Sequence, residues 1–275
     1  MASSREIMLV KLGGSLITDK TRPQTPRLEV IQRLATEVGE ATTRTSLPLI
    51  IGHGSGSFGH VAASESGIDQ GIRDGAEVAG VSATQGAAFK LHQLVVEALR
   101  DAGVAAYSVV PSSFLVARGG QPDQVWVEPL LAALDIGLVP VVFGDVVMDG
   151  EWGASICSTE SLFLALVPAL GSRGVFVRRA VWLGATDGVF DARGETIAEI
   201  PIAELEATTA DFEGAAGTDV TGGIRLRLQA VGTLAGLGIA SWIGDGRRSG
   251  ALLEGLEDRA VDGTRILPGR SPDAC

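Results

Sequence analysis

Ile7-Met-Leu-Val-Lys11-Leu-Gly13-Gly14-Ser15-Leu-Ile-Thr-Asp-Lys20 is the stretch on which the reading of this chain turns. Its apolar run, Ile7–Lys11, predicts a short buried strand, and Gly13-Gly14 predicts a tight turn at the strand's end. A turn without Cβ atoms exposes consecutive backbone N–H groups, a concavity that suits phosphate oxygens. Lys11, the last strand residue, extends its ammonium along the same edge, and Lys20 can close over it from the loop. The alternative is an ordinary strand-to-loop turn with two solvated lysines. It is not a Walker A loop, because G-x-x-x-x-G-K-[ST] is absent.

A second glycine turn follows the next apolar strand, as Gly52-His-Gly-Ser-Gly-Ser-Phe-Gly-His60. Gly54-x-Gly56-x-x-Gly59 matches the dinucleotide fingerprint literally. A Rossmann unit would continue into a strand and an acidic residue roughly 20 positions on. Here the stretch 61–75 is short, glycine-rich and polar, with no apolar strand near Asp69 or Glu77. A phosphate cradle is the reading that remains. His60 stands at its exit, placed to donate to an anion.

Outward from these turns the chain alternates. Helical spacing covers Arg27–Thr43, Ala76–Arg100, Pro129–Ile136, Leu162–Leu170, Gly222–Ala235 and Leu252–Leu256. Extended apolar runs cover Leu47–Ile51, Val104–Val110, Leu138–Phe143, Val175–Leu183 and Ile239–Ile243, while Asp149–Ser158 reads as irregular. Strands alternating with helices imply an α/β chain with a largely parallel sheet covered on both faces. In such sheets ligands bind outside the carboxyl ends of the strands.

Three later segments fall at such ends. Asp145, after Phe143-Gly, either orients a lysine or caps a loop. Asp187-Gly188 is either a bare turn or a contact to ribose or base. Thr218-Asp-Val-Thr-Gly222-Gly223 precedes a helix whose N-terminal amides can hold a phosphate, with Arg227 one helical turn further on. Small residues at Ala79, Ala83, Gly86 and Ala87 leave room either for close helix packing or for an apolar substrate tail.

Composition narrows the function. The 275 residues carry 33 acidic against 22 basic side chains, a formal charge of -11, which argues against a nucleic-acid or anionic-membrane surface. Aromatics make up only 5%, too few for base-stacking platforms. No apolar run approaches the ~18–20 residues that span a bilayer, and MASSREIMLVKLGG lacks the apolar core of a signal peptide. Two cysteines, Cys157 and Cys275, build neither a disulfide framework nor a zinc site. A soluble cytoplasmic protein with no metal ligands of its own is expected. Only three basic residues are lysine, and two of them, Lys11 and Lys20, lie in the first glycine segment.

Taken in order, Lys11 to Lys20, Gly54-Ser-Gly-Ser-Phe-Gly-His60, Phe143-Gly-Asp145, Thr186-Asp-Gly188 and Asp219-Val-Thr-Gly-Gly223 resemble the amino acid kinase superfamily, and within it the isopentenyl phosphate kinases. The resemblance implies a three-layer αβα sandwich. It implies one domain over 1–270, with an acceptor-binding lobe to about residue 150 and an ATP-binding lobe beyond it. It also implies a homodimer that uses ATP and Mg2+ to phosphorylate a small phosphorylated substrate.

Position by position, the resemblance implies that Lys11 and Lys20 stabilise the phosphoryl group in flight and that Asp145 helps orient them. It implies that Gly13, Gly14, Ser15 and Gly56 cradle ATP phosphates, with Asp187, Gly223 and Arg227 also on ATP. By the same resemblance Ser55, Gly59 and His60 hold the acceptor phosphate, and Thr159 stands at a substrate-contact position. Three positions depart from the family pattern. Arg227 stands where lysine is usual, Ser158-Thr-Glu-Ser161 replaces Ser-Gly-Asp-Asp, and Ala185 occupies an often acidic position. A fosfomycin-kinase-like enzyme for another phosphate or phosphonate, or a non-catalytic nucleotide-binding relative, are the alternatives.

Overall fold

Strand β1 (Arg5–Leu12) divides its side chains between two cores. Successive residues of a strand face opposite ways. Ile7 and Leu9 join one buried cluster, while Met8, Val10 and Leu12 join another on the opposite face. β9 (Val175–Gly184) does the same, sending Ala180 and Trp182 one way and Val181 and Leu183 the other. A sheet buried on both faces needs a layer of helices on each. The αβα sandwich follows from that alternation.

The computed structural model describes residues 5–66, 68, 71–72, 77–191, 193–205, 207, 222–259 and 262–269. Besides β1 and β9, the large sheet contains β2 (Leu49–His53), β3 (Ala106–Ser108), β6 (Val139–Phe143), β10 (Glu199–Pro201), β11 (Ala240–Asp245) and β12 (Thr264–Leu267), in the order β10-β12-β11-β9-β1-β2-β6-β3. Every neighbouring pair runs parallel except β11 with β12. The core on one face takes in residues of α2 (Leu28–Arg44), α4 (Glu77–Asp101) and α8 (Ala251–Leu256). The other takes in α5 (Glu128–Asp135), α6 (Thr159–Gly171) and α7 (Gly222–Gly236). Among the described residues no helix is long and apolar enough to cross a membrane.

Two expectations need correction. The stretch read as irregular, Asp149–Ser158, is mostly strand, because β7 (Asp145–Asp149) and β8 (Gly153–Cys157) pair as an antiparallel hairpin. With β4 (Leu115–Arg118) and β5 (Gln121–Val125) they form a second, four-stranded sheet in the order β5-β4-β7-β8. Asp149 ties the hairpins together by accepting N–H bonds from Gly119, Gly120, Glu151 and Trp152 at 2.8–3.0 Å. The second correction shortens the strand read over Val104–Val110 to Ala106–Ser108, since Pro111 opens a 3-10 turn. On α4, Ala79 and Ala83 are exposed and a Cβ on Gly86 would meet nothing, so of the small-residue row only Ala87 packs into a core. The buried residues of α4 include Thr84, Ala87, Ala88, Leu91 and His92.

Candidate active site

The carboxyl ends of β1 and β2 bring the two glycine turns together. The turn after β1 leads into a single helical turn, α1 (Gly14–Ile17), and the turn after β2 leads into α3 (Gly56–Ser66). The first amides of a helix have no intrahelical acceptor, so both turns present free N–H groups. Their backbones touch. A Cβ on Gly14 would lie 2.6 Å from the Gly56 nitrogen and 2.8 Å from its Cα. Thr18 clasps the pair, because its hydroxyl donates to the Gly14 carbonyl at 2.7 Å and accepts from the Ser57 N–H at 3.0 Å. Gly14→Ala therefore pushes backbone against backbone and is expected to lower kcat/KM at least tenfold; the order of magnitude follows from ~1.4 kcal/mol of lost alignment. Gly86→Ala, in open space on α4, is the control. It should leave turnover unchanged and raise the unfolding midpoint slightly.

Between these turns, β8 and the start of α6 lies a cleft of about 500 Å3. Lys11, Gly13, Gly14, Ser15 and Lys20 line it from one side, Ser55, Gly56 and Thr159 from another, and Arg227 closes its floor. Lys11 shares the face of β1 that Ile7 and Leu9 take, which points it at α6. There its ammonium is ion-paired to Glu160, both side chains being less than a tenth exposed. Glu160 sits in the first turn of α6, whose N-cap, Ser158, accepts from the Ser161 N–H at 3.0 Å. Burial alone would raise the Glu160 carboxyl; Lys11 and then Arg227 outweigh it and hold the group below its usual 4.5. Burial pulls Lys11 down from 10.5, with Glu160 opposing and Arg227 and Lys20 adding to the fall. Arg227 is buried against Gly13 and Gly184, and its Nε has no acceptor among the described residues. Lys11, Arg227 and Lys20 carry three positive charges against one carboxylate. The surplus, in a chain with net charge -11, suits an anion.

Other expected residues fall differently. Asp145 does not orient a lysine: its carboxylate accepts from the Ser112 N–H at 3.1 Å and its neighbour Val146 N–H at 2.8 Å. Burial raises its pKa. The carboxylate on Lys11 is Glu160. Asp145 instead borders a pocket of about 20 Å3 with Ser55, Gly59, Thr84 and Ala88, room for roughly one water. The Thr159 hydroxyl is engaged with the His53 carbonyl at 2.7 Å. Asp187 lies in a neighbouring cavity of about 430 Å3, which also involves Thr196, Trp242, Asp245, Arg248 and Asp262. A hydrogen bond shared with Asp245 raises its pKa. Gly223 lies in the first turn of α7. The preceding Thr218–Thr221, and the side chain of His60 on α3, lie outside the described residues. Glu160 and Thr18 were not singled out as site residues, although both stand inside segments that were.

Behind the second glycine turn, His53 and His92 are fully buried and stacked on Phe143. Burial pushes His53 down to about 4 from 6.5, opposed by its bond to Gly54. Burial, then His53 and Arg100, push His92 down to about 2. Both are neutral when folded, whereas the unfolded chain takes up protons below about 6.5. Stability is therefore full above that pH and falls as pH drops towards 4, by up to ~1.4 kcal/mol per unit for each imidazole. Urea unfolding at pH 7 and pH 5.5 should show the loss, and His92→Leu should remove one proton's share of the slope. Equal slopes in both proteins would contradict it.

The chain matches the model of the amino acid kinase family over residues 6–245. It is 31% identical to an isopentenyl phosphate kinase of Methanothermobacter thermautotrophicus, covering 94% of this chain and 98% of the relative. It is 34% identical to one of Haloferax volcanii, covering 81% and 86%. A solved isopentenyl phosphate kinase structure superposes with a TM-score of 0.78 at 27% identity, over 94% of this chain and all of the other.

Proposed function

This chain belongs to the amino acid kinase family, and on that premise we propose that it transfers the γ-phosphoryl group of MgATP to isopentenyl phosphate. The reading rests on one observation: two glycine turns in backbone contact over a cleft whose floor holds Lys11 and Arg227. In the reaction an oxygen of the acceptor phosphate bonds to the γ-phosphorus, and the bond to the β–γ bridging oxygen breaks to release ADP. A phosphate monoester is largely dianionic at neutral pH, so the attack needs no general base. Charge placement supplies the catalysis.

In this scheme Gly14, Ser15 and Gly56 offer amides to the ATP phosphates, joined by Gly223 and Arg227, while the Gly13 N–H donates to the Leu183 carbonyl at 2.8 Å and shapes the turn. The cavity beside Asp187 suits the nucleoside, whose ribose hydroxyls would donate to its carboxylates. Mg2+ enters with the nucleotide as part of the substrate. Ser55, Gly59 and His60 hold the acceptor phosphate, with its short tail beside Ile156 in the larger cleft. Lys11 and Lys20 meet the migrating group. The first half of the chain thus holds the acceptor and lends its glycine turns to the ATP phosphates, and the second half holds the nucleoside, in a homodimer that light scattering can check.

Purified protein, MgATP and a panel of phosphate and phosphonate acceptors test the reading, with ADP release and 31P NMR of the product as readouts. Isopentenyl phosphate is expected to yield a diphosphate. ADP formation with a phosphonate but not with isopentenyl phosphate would overturn the acceptor assignment, and nucleotide binding without transfer would overturn the activity.

A further inference from the structure

The scheme above leaves His53 and His92 without a part, although burying two imidazoles costs more than burying two phenyl rings would. Their contacts form a line. His53 Nδ1 lies 3.1 Å from the Gly54 carbonyl oxygen, His53 Nε2 lies 3.0 Å from His92 Nδ1, and His92 Nε2 lies 2.7 Å from Ser108 Oγ. A carbonyl only accepts, so the His53 proton sits on Nδ1 and Nε2 is left as an acceptor. His92 then donates from Nδ1, and its Nε2 accepts the Ser108 hydroxyl proton. With both rings neutral, this single pattern satisfies every partner. It runs one way, from β3 through α4 to the second glycine turn.

The end of the line matters because of peptide geometry. The Gly54 carbonyl and the Ser55 N–H belong to one trans peptide plane and point in opposite directions. Holding the carbonyl toward His53 turns the Ser55 N–H away from it. That N–H has no acceptor among the described residues, and Ser55 lines the cleft. The same turn is braced behind, since the His53 carbonyl accepts from Thr159 Oγ1 at 2.7 Å and from the Gly144 N–H at 3.0 Å.

We infer that Ser108, His92 and His53 form a one-way hydrogen-bond chain that fixes the Gly54–Ser55 peptide with its N–H toward the acceptor phosphate, which makes His53 and His92 positioning residues. The inference rests on the assignment of Ser55 to the acceptor, and its test is built in two arms so that the two can fail separately.

The first arm is kinetic, on the full chain with MgATP and isopentenyl phosphate. His92→Leu should raise the acceptor KM about tenfold, the scale of one hydrogen bond to a charged group, and leave the KM for MgATP within about twofold. His92→Asn, whose amide nitrogen can donate to His53 Nε2, should recover most of the loss. Equal defects in the two variants, or both KM values moving together, would reduce the pair to packing and overturn the inference. The second arm needs no turnover. Long-range 1H–15N NMR of the wild type should find both rings in the Nδ1–H form, and inorganic phosphate should shift the Ser55 amide in the wild type more than in His92→Leu. A His53 ring in the Nε2–H form would overturn the chain. Wild-type inactivity toward isopentenyl phosphate, with the tautomers as stated, would instead overturn the acceptor assignment.

Discussion

Lys11→Ala is expected to lower kcat by about 10²–10³ with little change in the KM of either substrate, the scale seen when one preorganised donor to a developing charge is removed. The ammonium is held before substrate arrives: β1 aims it at α6, Glu160 fixes it, and Trp182 lies beneath, its ring centroid 6.0 Å from the nitrogen. A cation positioned in advance needs no reorganisation as charge moves onto the transferring oxygens. Its burial raises its worth, because the same charge in bulk water is screened. Lys11→Met, which fills the space without the charge, should show the same kcat loss and so separates charge from cavity. Circular dichroism and thermal melting should show both variants folded. A kcat within threefold of wild type would remove Lys11 from the chemistry.

The second large effect is on stability. Glu160→Ala leaves Lys11 and Arg227 buried with no opposing carboxylate, and breaking such a pair by removing one partner typically costs ~3–5 kcal/mol. Glu160→Gln keeps a hydrogen-bond acceptor for Lys11 and should lose less. The sign of the pH effect follows from the depressed Glu160 carboxyl. Its contribution is complete above its ordinary value of 4.5 and disappears as pH falls through the lower folded value. Nucleotide phosphates bring the negative charge that the variant lacks. MgATP should therefore raise the melting temperature of Glu160→Ala by more than it raises that of the wild type. An unchanged urea midpoint for Glu160→Ala would mean that water, not Glu160, answers the two cations.

Six strands of the large sheet were legible because they are nearly continuous apolar runs, such as Leu49–Ile51 and Val139–Phe143, separated by helical spacing, whereas the short strands β10 and β12 at one edge were not. The second sheet was not. Its strands are four or five residues long, and Gln121–Val125 and Gly153–Cys157 mix polar and small residues without a clean period of two. What holds them is a long-range device, the Asp149 carboxylate accepting N–H groups from the other hairpin, and spacing along the chain does not reveal it. The glycine turns were legible for the opposite reason. Their signal is local, since a missing Cβ matters wherever two backbones meet.

Charge pairing was legible only in part. Two of the three scarce lysines and a buried arginine gather positive charge in one cleft, but which carboxylate meets Lys11 depends on the face of the sheet that α6 covers. Asp145 and Glu160 both follow strand ends, and packing alone separates them. The imidazole pair shows the same limit. His53 and His92 are 39 residues apart, and only the pairing of β2 with α4 brings them into line.

The account depends most on both glycine turns serving a single migrating phosphoryl group, and a crystal structure with a non-hydrolysable ATP analogue and isopentenyl phosphate tests that directly. Lys11 Nζ is expected within hydrogen-bond distance of the γ-phosphate, with the His60 imidazole and the Ser55 N–H on the acceptor phosphate opposite it. An acceptor phosphate bound away from Ser55, with His60 turned into a different cleft from Lys11, would contradict the account.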